Sequence, residues 1–198
     1  MTMNTAVFRS ILVLLAIGLS TPALAQTTRR APASSSYQAT RVGPLVGLEF
    51  ADDDTGLALR GDLSMPLSRL SPTLNLDGVL SLGLSWFDDD DFRSRFDRSI
   101  TLFKVIPALR LTAPLSPTVG LYGDVGMGFY YGSLDVEDDL GFDVADDDGF
   151  GLGMRFAGGI FADVTPTVRL GGELGINPYF GDFDETSVSM LFSAMFRL

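Results

Sequence analysis

The sequence predicts an all-β fold: eight antiparallel strands, running up and down, closed into a transmembrane β-barrel. Three observations carry that prediction. From about Arg41 onward apolar residues alternate with polar ones, the period of two that a strand with one apolar face requires. A turn motif, P-T-[LV]-x-L-x-G, recurs at residues 72, 117 and 166. The charges inside the alternating segments all fall on the face opposite the apolar one.

Residues 1–25 (MTMNTAVFRSILVLLAIGLSTPALA) precede the alternation. Arg9 supplies a positive start, Ile11 to Leu19 is apolar apart from Gly18, and Ala23-Leu24-Ala25 fits an A-x-A cleavage site. That layout is a cleaved secretory signal peptide. Its apolar run falls short of the roughly 20 residues that a membrane-spanning helix needs. Residues 26–40 (QTTRRAPASSSYQAT) lack periodicity and read as a disordered periplasmic tail. The barrel is expected over residues 41–198.

Its strands follow in order. Segments at about 41–51 and 57–67 carry their apolar residues on even positions (Val42, Val46, Phe50) and then on odd ones (Leu57, Leu59, Leu63). In 74–87 the even positions hold Leu74, Leu76, Leu80, Leu82, Leu84 and Trp86. Segments 99–113 and 118–132 are apolar on odd positions, and 150–164, 167–180 and 187–198 on even ones. Each has nine or more residues, enough to cross a hydrocarbon core when tilted about 45°.

The repeat sets the topology. A Ser or Thr precedes each proline (Ser71, Ser116, Thr165), and the spacings of 45 and 49 residues fit one strand pair with its loop. Proline presets φ for a tight turn, and alternation resumes at once. These are three short turns on one side. Longer connections on the other are expected at 52–56, 88–98, 133–149 and 181–186.

The strand charges are Glu49, Arg60, Asp62, Asp77, Lys104, Arg110, Asp124, Arg155, Asp163, Arg169, Glu173 and Arg197, six acidic and six basic. Random placement would put all of them on one face roughly once in four thousand trials for a period-two strand. A Lys or Arg facing lipid at mid-depth costs about 2–4 kcal/mol, so the charged face must turn inward. Buried there, opposite charges must pair. By distance from the turns, Asp77, Arg110, Asp163, Arg169 and Arg197 sit low and the rest higher. An eight-stranded barrel is narrow enough for side chains to fill, so a closed salt-bridge plug is expected, with room beside the inward glycines for a small water-filled cavity near the loops. The outward aromatics Phe50, Trp86, Phe129, Tyr131, Phe150 and Phe180 lie near the loop ends, as a headgroup-level girdle would. A soluble sandwich also alternates. The balanced, strand-only charge set argues against it.

These features resemble the small eight-stranded outer-membrane barrels, the superfamily that includes the OmpA transmembrane domain and OmpX. The resemblance covers about residues 41–198. It rests on the signal peptide, the eight segments, the Gly/Tyr-rich stretch Leu121–Gly132 and the last strand, with Val188, Met190, Phe192, Ala194, Phe196 and Leu198 on one face. It implies a Gram-negative outer-membrane location with both termini periplasmic. It also implies contact with outer-membrane lipid and lipopolysaccharide, and handling by the barrel-assembly machinery. The family usually ends in Phe or Trp, whereas this chain ends in Leu198.

Composition narrows function. With 14 Lys+Arg against 25 Asp+Glu, a net charge of −11 and a pI near 4.2, the chain lacks the basic surface that nucleic acid requires. There is no Cys, hence no disulfide and no thiolate metal site. There is no His either, so Ser187, Ser189 and Ser193 have no imidazole base. Enzymes that resemble this architecture use a catalytic His, and no enzyme is expected. Nineteen acids fall in the expected loops. Among them Asp52, Asp53 and Asp54, Asp88 to Asp91 (Asp88, Asp89, Asp90, Asp91), and Asp146, Asp147 and Asp148 are candidate ligands for weakly held Ca²⁺ or Mg²⁺. A solvated acidic surface is the simpler reading of the same residues. No cofactor is expected, and the chain is expected to be a monomer. The sequence thus points to a structural or surface protein of the envelope. The alternative is a narrow porin-like channel or a carrier for a small apolar molecule.

Overall fold

The computed structural model describes residues 39–52, 54–89, 96–138, 143–182 and 184–198, all within one unit, Ser34–Leu198. The expected signal peptide and nearly all of the expected tail lie outside the described residues.

Eight strands form a closed antiparallel ring in sequence order: β1 (Arg41–Ala51), β2 (Asp54–Ser71), β3 (Leu74–Asp89), β4 (Phe96–Pro114), β5 (Val119–Asp138), β6 (Asp143–Asp163), β7 (Val168–Gly181) and β8 (Thr186–Arg197). β1 pairs with β8, as Val46 against Phe192 and Ala51 against Ser187, so the ring leaves no open seam. Outward residues are apolar and exposed on every strand, among them Val46, Leu57, Leu82, Leu109, Met127, Phe156, Leu174 and Phe192. The girdle aromatics Phe50, Trp86, Phe129, Tyr131, Phe150 and Phe180 all point outward, and Phe129 stacks on Phe150 with ring centroids 5.5 Å apart.

The three motif turns share one hydrogen-bond pattern. Ser116 Oγ accepts from the amides of Thr118 and Val119, at 3.3 and 3.0 Å. Thr165 Oγ1 accepts from Thr167 and Val168, at 3.3 and 3.0 Å, and Ser71 Oγ from Thr73 at 3.2 Å. The hydroxyl before each proline therefore satisfies amides that a tight turn would otherwise leave unpaired.

At the opposite end the structure corrects the expected loops. Asp52, with φ 46°, begins a two-residue connection that sets Ala51 opposite Asp54, so no long loop stands at 52–56. A left-handed residue is what a two-residue hairpin demands, and Asp tolerates it. The ladder also continues through much of 88–98 and 133–149: Asp89 pairs with Arg98, Phe96 with Asp138, and Asp135 with Asp146. These stretches pair by backbone alone, without the apolar–polar alternation that marks the strands in the sequence. Where β7 stops, the Asp182 carboxylate accepts from the Phe150 amide at 2.9 Å.

Three ladders skip two residue pairs without losing register. The gaps set Gly43–Pro44 against Ala194–Met195, Ile106–Pro107 against Met127–Gly128, and Met154–Arg155 against Asn177–Pro178. Each contains a proline, which has no N–H to donate.

Candidate functional site

The bore is packed with charge in three levels. At the loop end, Glu49 of β1 faces Lys104 of β4. Lys104 Nζ donates to Glu49 Oε1 and Oε2 at 2.8 and 2.6 Å, and to the Tyr179 hydroxyl at 2.8 Å. Tyr179 donates in turn to Glu49 Oε1 at 2.8 Å, and the Ser85 and Ser187 hydroxyls donate to the same carboxylate.

The middle level holds three arginines and three carboxylates. Arg60 grips Asp62 through Nε at 2.9 Å and Glu173 through Nη1 at 2.8 Å. Arg110 makes a two-pronged pair with Asp124, both contacts at 2.7 Å, and reaches Asp62 at 3.1 Å. Arg155, 1 % exposed, donates to Asp124 at 3.1 Å and to Ser81 Oγ at 2.6 Å, and Ser81 donates to Asp62 at 2.7 Å. Tyr122 donates to Glu173 at 2.9 Å, and the Arg110 guanidinium lies 4.3 Å from its ring centre. Bidentate Arg–carboxylate pairs are the strong form of this contact.

At the turn end, Arg169 clasps Asp163 at 2.8 and 3.1 Å and lies 3.7 Å over the Phe161 ring centre. Arg41 joins from β1, 3.5 Å from Asp163. Asp77, also buried, accepts from Thr112 at 3.0 Å. Each level is neutral by itself: one cation with one anion, three with three, and Arg41 and Arg169 with Asp77 and Asp163. A buried charge left without a counter-charge carries a desolvation penalty of several kcal/mol, so neutrality level by level is what makes the plug tolerable.

Three placements differ from the sequence reading. Arg41, left out of the strand charges there, is a buried member of the network, while Arg197, taken as inward, is exposed where β8 ends. Arg110, expected low, stands between Asp77 and Asp124 in register and belongs to the middle level because its guanidinium bonds Asp124 and reaches Asp62. Arg41 was findable, since its odd position on an even-outward strand points inward. Tyr122 was expected on the inner face, and the same parity places Ser81, Ser85, Thr112, Tyr179 and Ser187, polar partners that sequence reasoning passed over.

Above the charges the bore is apolar: Ala51, Phe87, Ile100, Leu102, Tyr130 and Tyr179 pack together at the loop end. Beneath that cluster, at the loop-end charge pair, lies a cavity of about 30 Å³ lined by Glu49, Arg60, Lys104 and Arg155, a small polar space of the kind expected toward the loops, and one of about 20 Å³ lies lower, lined by Asp62, Arg110, Tyr122 and Arg169. Each has room for about one or two waters.

The aromatics inside β5 and β6 lie across glycines of the facing strand. Phe161 pairs with Gly120, Tyr122 with Gly159 and Tyr130 with Gly151. A Cβ at those glycines would come within 2.4 to 2.5 Å of the ring or its hydroxyl.

Of the candidate metal ligands, Asp53, Asp90 and Asp91 lie outside the described residues. Asp88, Asp89, Asp146 and Asp147 are placed by backbone register alone, in β3 and β6. Asp52 and Asp148 are exposed and Asp54 half-buried. Among the described residues, the carboxylates close enough to share an ion are Asp62, Asp124 and Glu173. Those three are already held by three arginines.

A closed ring with an apolar outer wall and a bore filled by paired charges defines an integral membrane β-barrel. The chain belongs to the outer membrane protein beta-barrel domain family, whose model matches residues 11–196. Among solved structures it is similar to Neisserial surface protein A, with a TM-score of 0.56 at 12% identity, covering 80% of this chain and 96% of that one. It is also similar to a major outer membrane protein from Thermus thermophilus, with a TM-score of 0.53 at 16% identity and coverage of 81% and 100%. The outer membrane enzyme PagL gives a TM-score of 0.50 at 13% identity and coverage of 80% and 99%. At such identities the likeness is one of fold, and this fold serves enzymes and non-enzymes alike. No curated protein matches the chain.

Proposed function

We propose that the protein is a non-enzymatic structural or surface component of the Gram-negative outer membrane, with its bore sealed against solutes. The stacking of three neutral ionic levels beneath an apolar cap carries this reading. A solute crossing the barrel would have to break several desolvated ion pairs at once, and the cavities on the way hold only a water or two. The absence of His and Cys supports a non-enzymatic role, because the usual general base and the strongest nucleophile are missing. The turn end, with both termini, faces the periplasm, and the aromatic girdle marks the outer headgroup level. The acidic rim meets an anionic leaflet, and divalent cations held loosely between them offset the repulsion.

Proteoliposome swelling tests this reading. Liposomes carrying the purified barrel are expected to exclude small sugars and amino acids as completely as empty liposomes do. Swelling at the rates of an open porin contradicts the sealed bore and favours the channel alternative.

A further inference from the structure

The outward wall is studded with large exposed side chains on every strand. Between β4 and β5 a groove of about 410 Å³ opens toward the lipid, walled by Pro107, Leu109, Val125, Met127 and Met154 and floored by the small pair Ala108 and Gly126. It lies where the β4–β5 ladder skips the Ile106–Gly128 and Pro107–Met127 pairs. Pro107 thus removes ladder contacts at a position where the facing strand carries Gly126 and Gly128. Two methionines face each other across β5–β6, Met127 opposite Met154, and the proline opposite Met154 on β7 is Pro178, inside the β6–β7 gap.

We propose that this groove seats one acyl chain of an outer-membrane phospholipid as a retained, site-bound lipid. Depth selects the occupant. Along β5 the groove residues Val125 and Met127 lie between the girdle pair Phe129 and Tyr131 and the turn at Val119, in the middle of the apolar belt. Only hydrocarbon is present at that level, out of reach of headgroups. The lining side chains carry no hydrogen-bonding group, so a peptide or a sugar finds nothing to bind. Methionine thioethers adapt their shape to an irregular chain. In a bilayer the gain comes from packing rather than from the hydrophobic effect, and a concave wall leaves contacts unmade unless a chain fills it. This inference concerns the outer wall and does not depend on whether the bore is sealed.

The test is native mass spectrometry of the barrel released from nanodiscs of phosphatidylethanolamine and phosphatidylglycerol into mild detergent. The wild type is expected to retain one phospholipid per chain. Val125→Trp and Leu109→Phe, which fill the groove, are expected to lower that retention about tenfold. Val46→Trp, the same outward change made on β1, is expected to leave it as in the wild type. Heat-shifted gel mobility identifies any variant that has not folded, and the two groove variants back each other. Equal retention in folded wild-type and groove-filled proteins overturns the proposal. So does loss of a dimeric species in the groove variants, which would make the groove an interface between two copies.

Discussion

Lys104 Nζ lies 2.6 Å from Glu49 Oε2, although the two residues stand on β4 and β1, strands that are not neighbours in the ring. The pair therefore ties separate parts of the wall together across the bore. The hydroxyls of Ser85, Ser187 and Tyr179 donate to the same carboxylate. Lys104→Ala leaves that carboxylate without its cation. Loss of one partner of a buried pair costs about 3–5 kcal/mol. Unfolding in urea, followed by fluorescence of Trp86, the single tryptophan, is expected to show a loss of that size. The double change Lys104→Met with Glu49→Leu is expected to restore most of it. A loss below about 1 kcal/mol in the single variant would make the pair no stronger than a surface one.

The turn hydroxyls make a second prediction. Ser116→Ala and Thr165→Ala each remove an acceptor for two amides. Each is expected to destabilise the barrel by about 0.5–1.5 kcal/mol, and the two to add, because the turns share no partner. Substitution by the other hydroxyl residue, Ser116→Thr or Thr165→Ser, should be near neutral. If the alanine and hydroxyl variants melt together, the motif is a proline effect alone.

Glycines divide into two classes by what a Cβ would meet. Gly159→Ala drives a methyl into the Tyr122 ring, at 2.4 Å, beside the ties to Glu173 and Arg110. At Gly172 nothing lies within 4 Å. Gly159→Ala is expected to destabilise by about 1–3 kcal/mol, the range for overpacking. Gly172→Ala is expected to stabilise by about 0.5–1 kcal/mol, since glycine weakens a strand. Equal effects at the two sites would contradict the described packing of the β5–β6 interior.

The acidic rim predicts a response to divalent ions. Millimolar Ca²⁺ is expected to raise the melting midpoint of the barrel in lipopolysaccharide-containing bilayers more than NaCl of matched ionic strength does. Identical curves would leave the rim a solvated surface with no ionic partner.

Strand existence and facing were legible because a lipid-facing wall forces a period of two, and a misplaced charge there is too costly to survive. That rule placed Glu49, Arg60 and Asp62 from their parity, and applied to the first residue of β1 it would have placed Arg41. It failed where its cause ends. Beyond the girdle, around Asp135 and Asp146, the ladder continues without a period of two in the sequence, so strand and loop look alike there. Vertical position was legible only roughly. Strand stagger and the reach of a guanidinium decide which charges meet, and neither can be read from Arg110 as a letter. The proline gaps at Pro44, Pro107 and Pro178 were present in the sequence, but register is needed to see that each faces a skipped pair.

The central claim is that paired charges shut the bore, and single-channel recording in planar bilayers addresses it most directly. Wild type is expected to give no stable conductance steps. Arg60→Ala, which takes one cation from beside Asp62 and Glu173 and leaves the middle level with a net negative charge, is expected to introduce small cation-selective steps. Stable steps from the wild type, unchanged by Arg60→Ala or Lys104→Ala, would contradict the account.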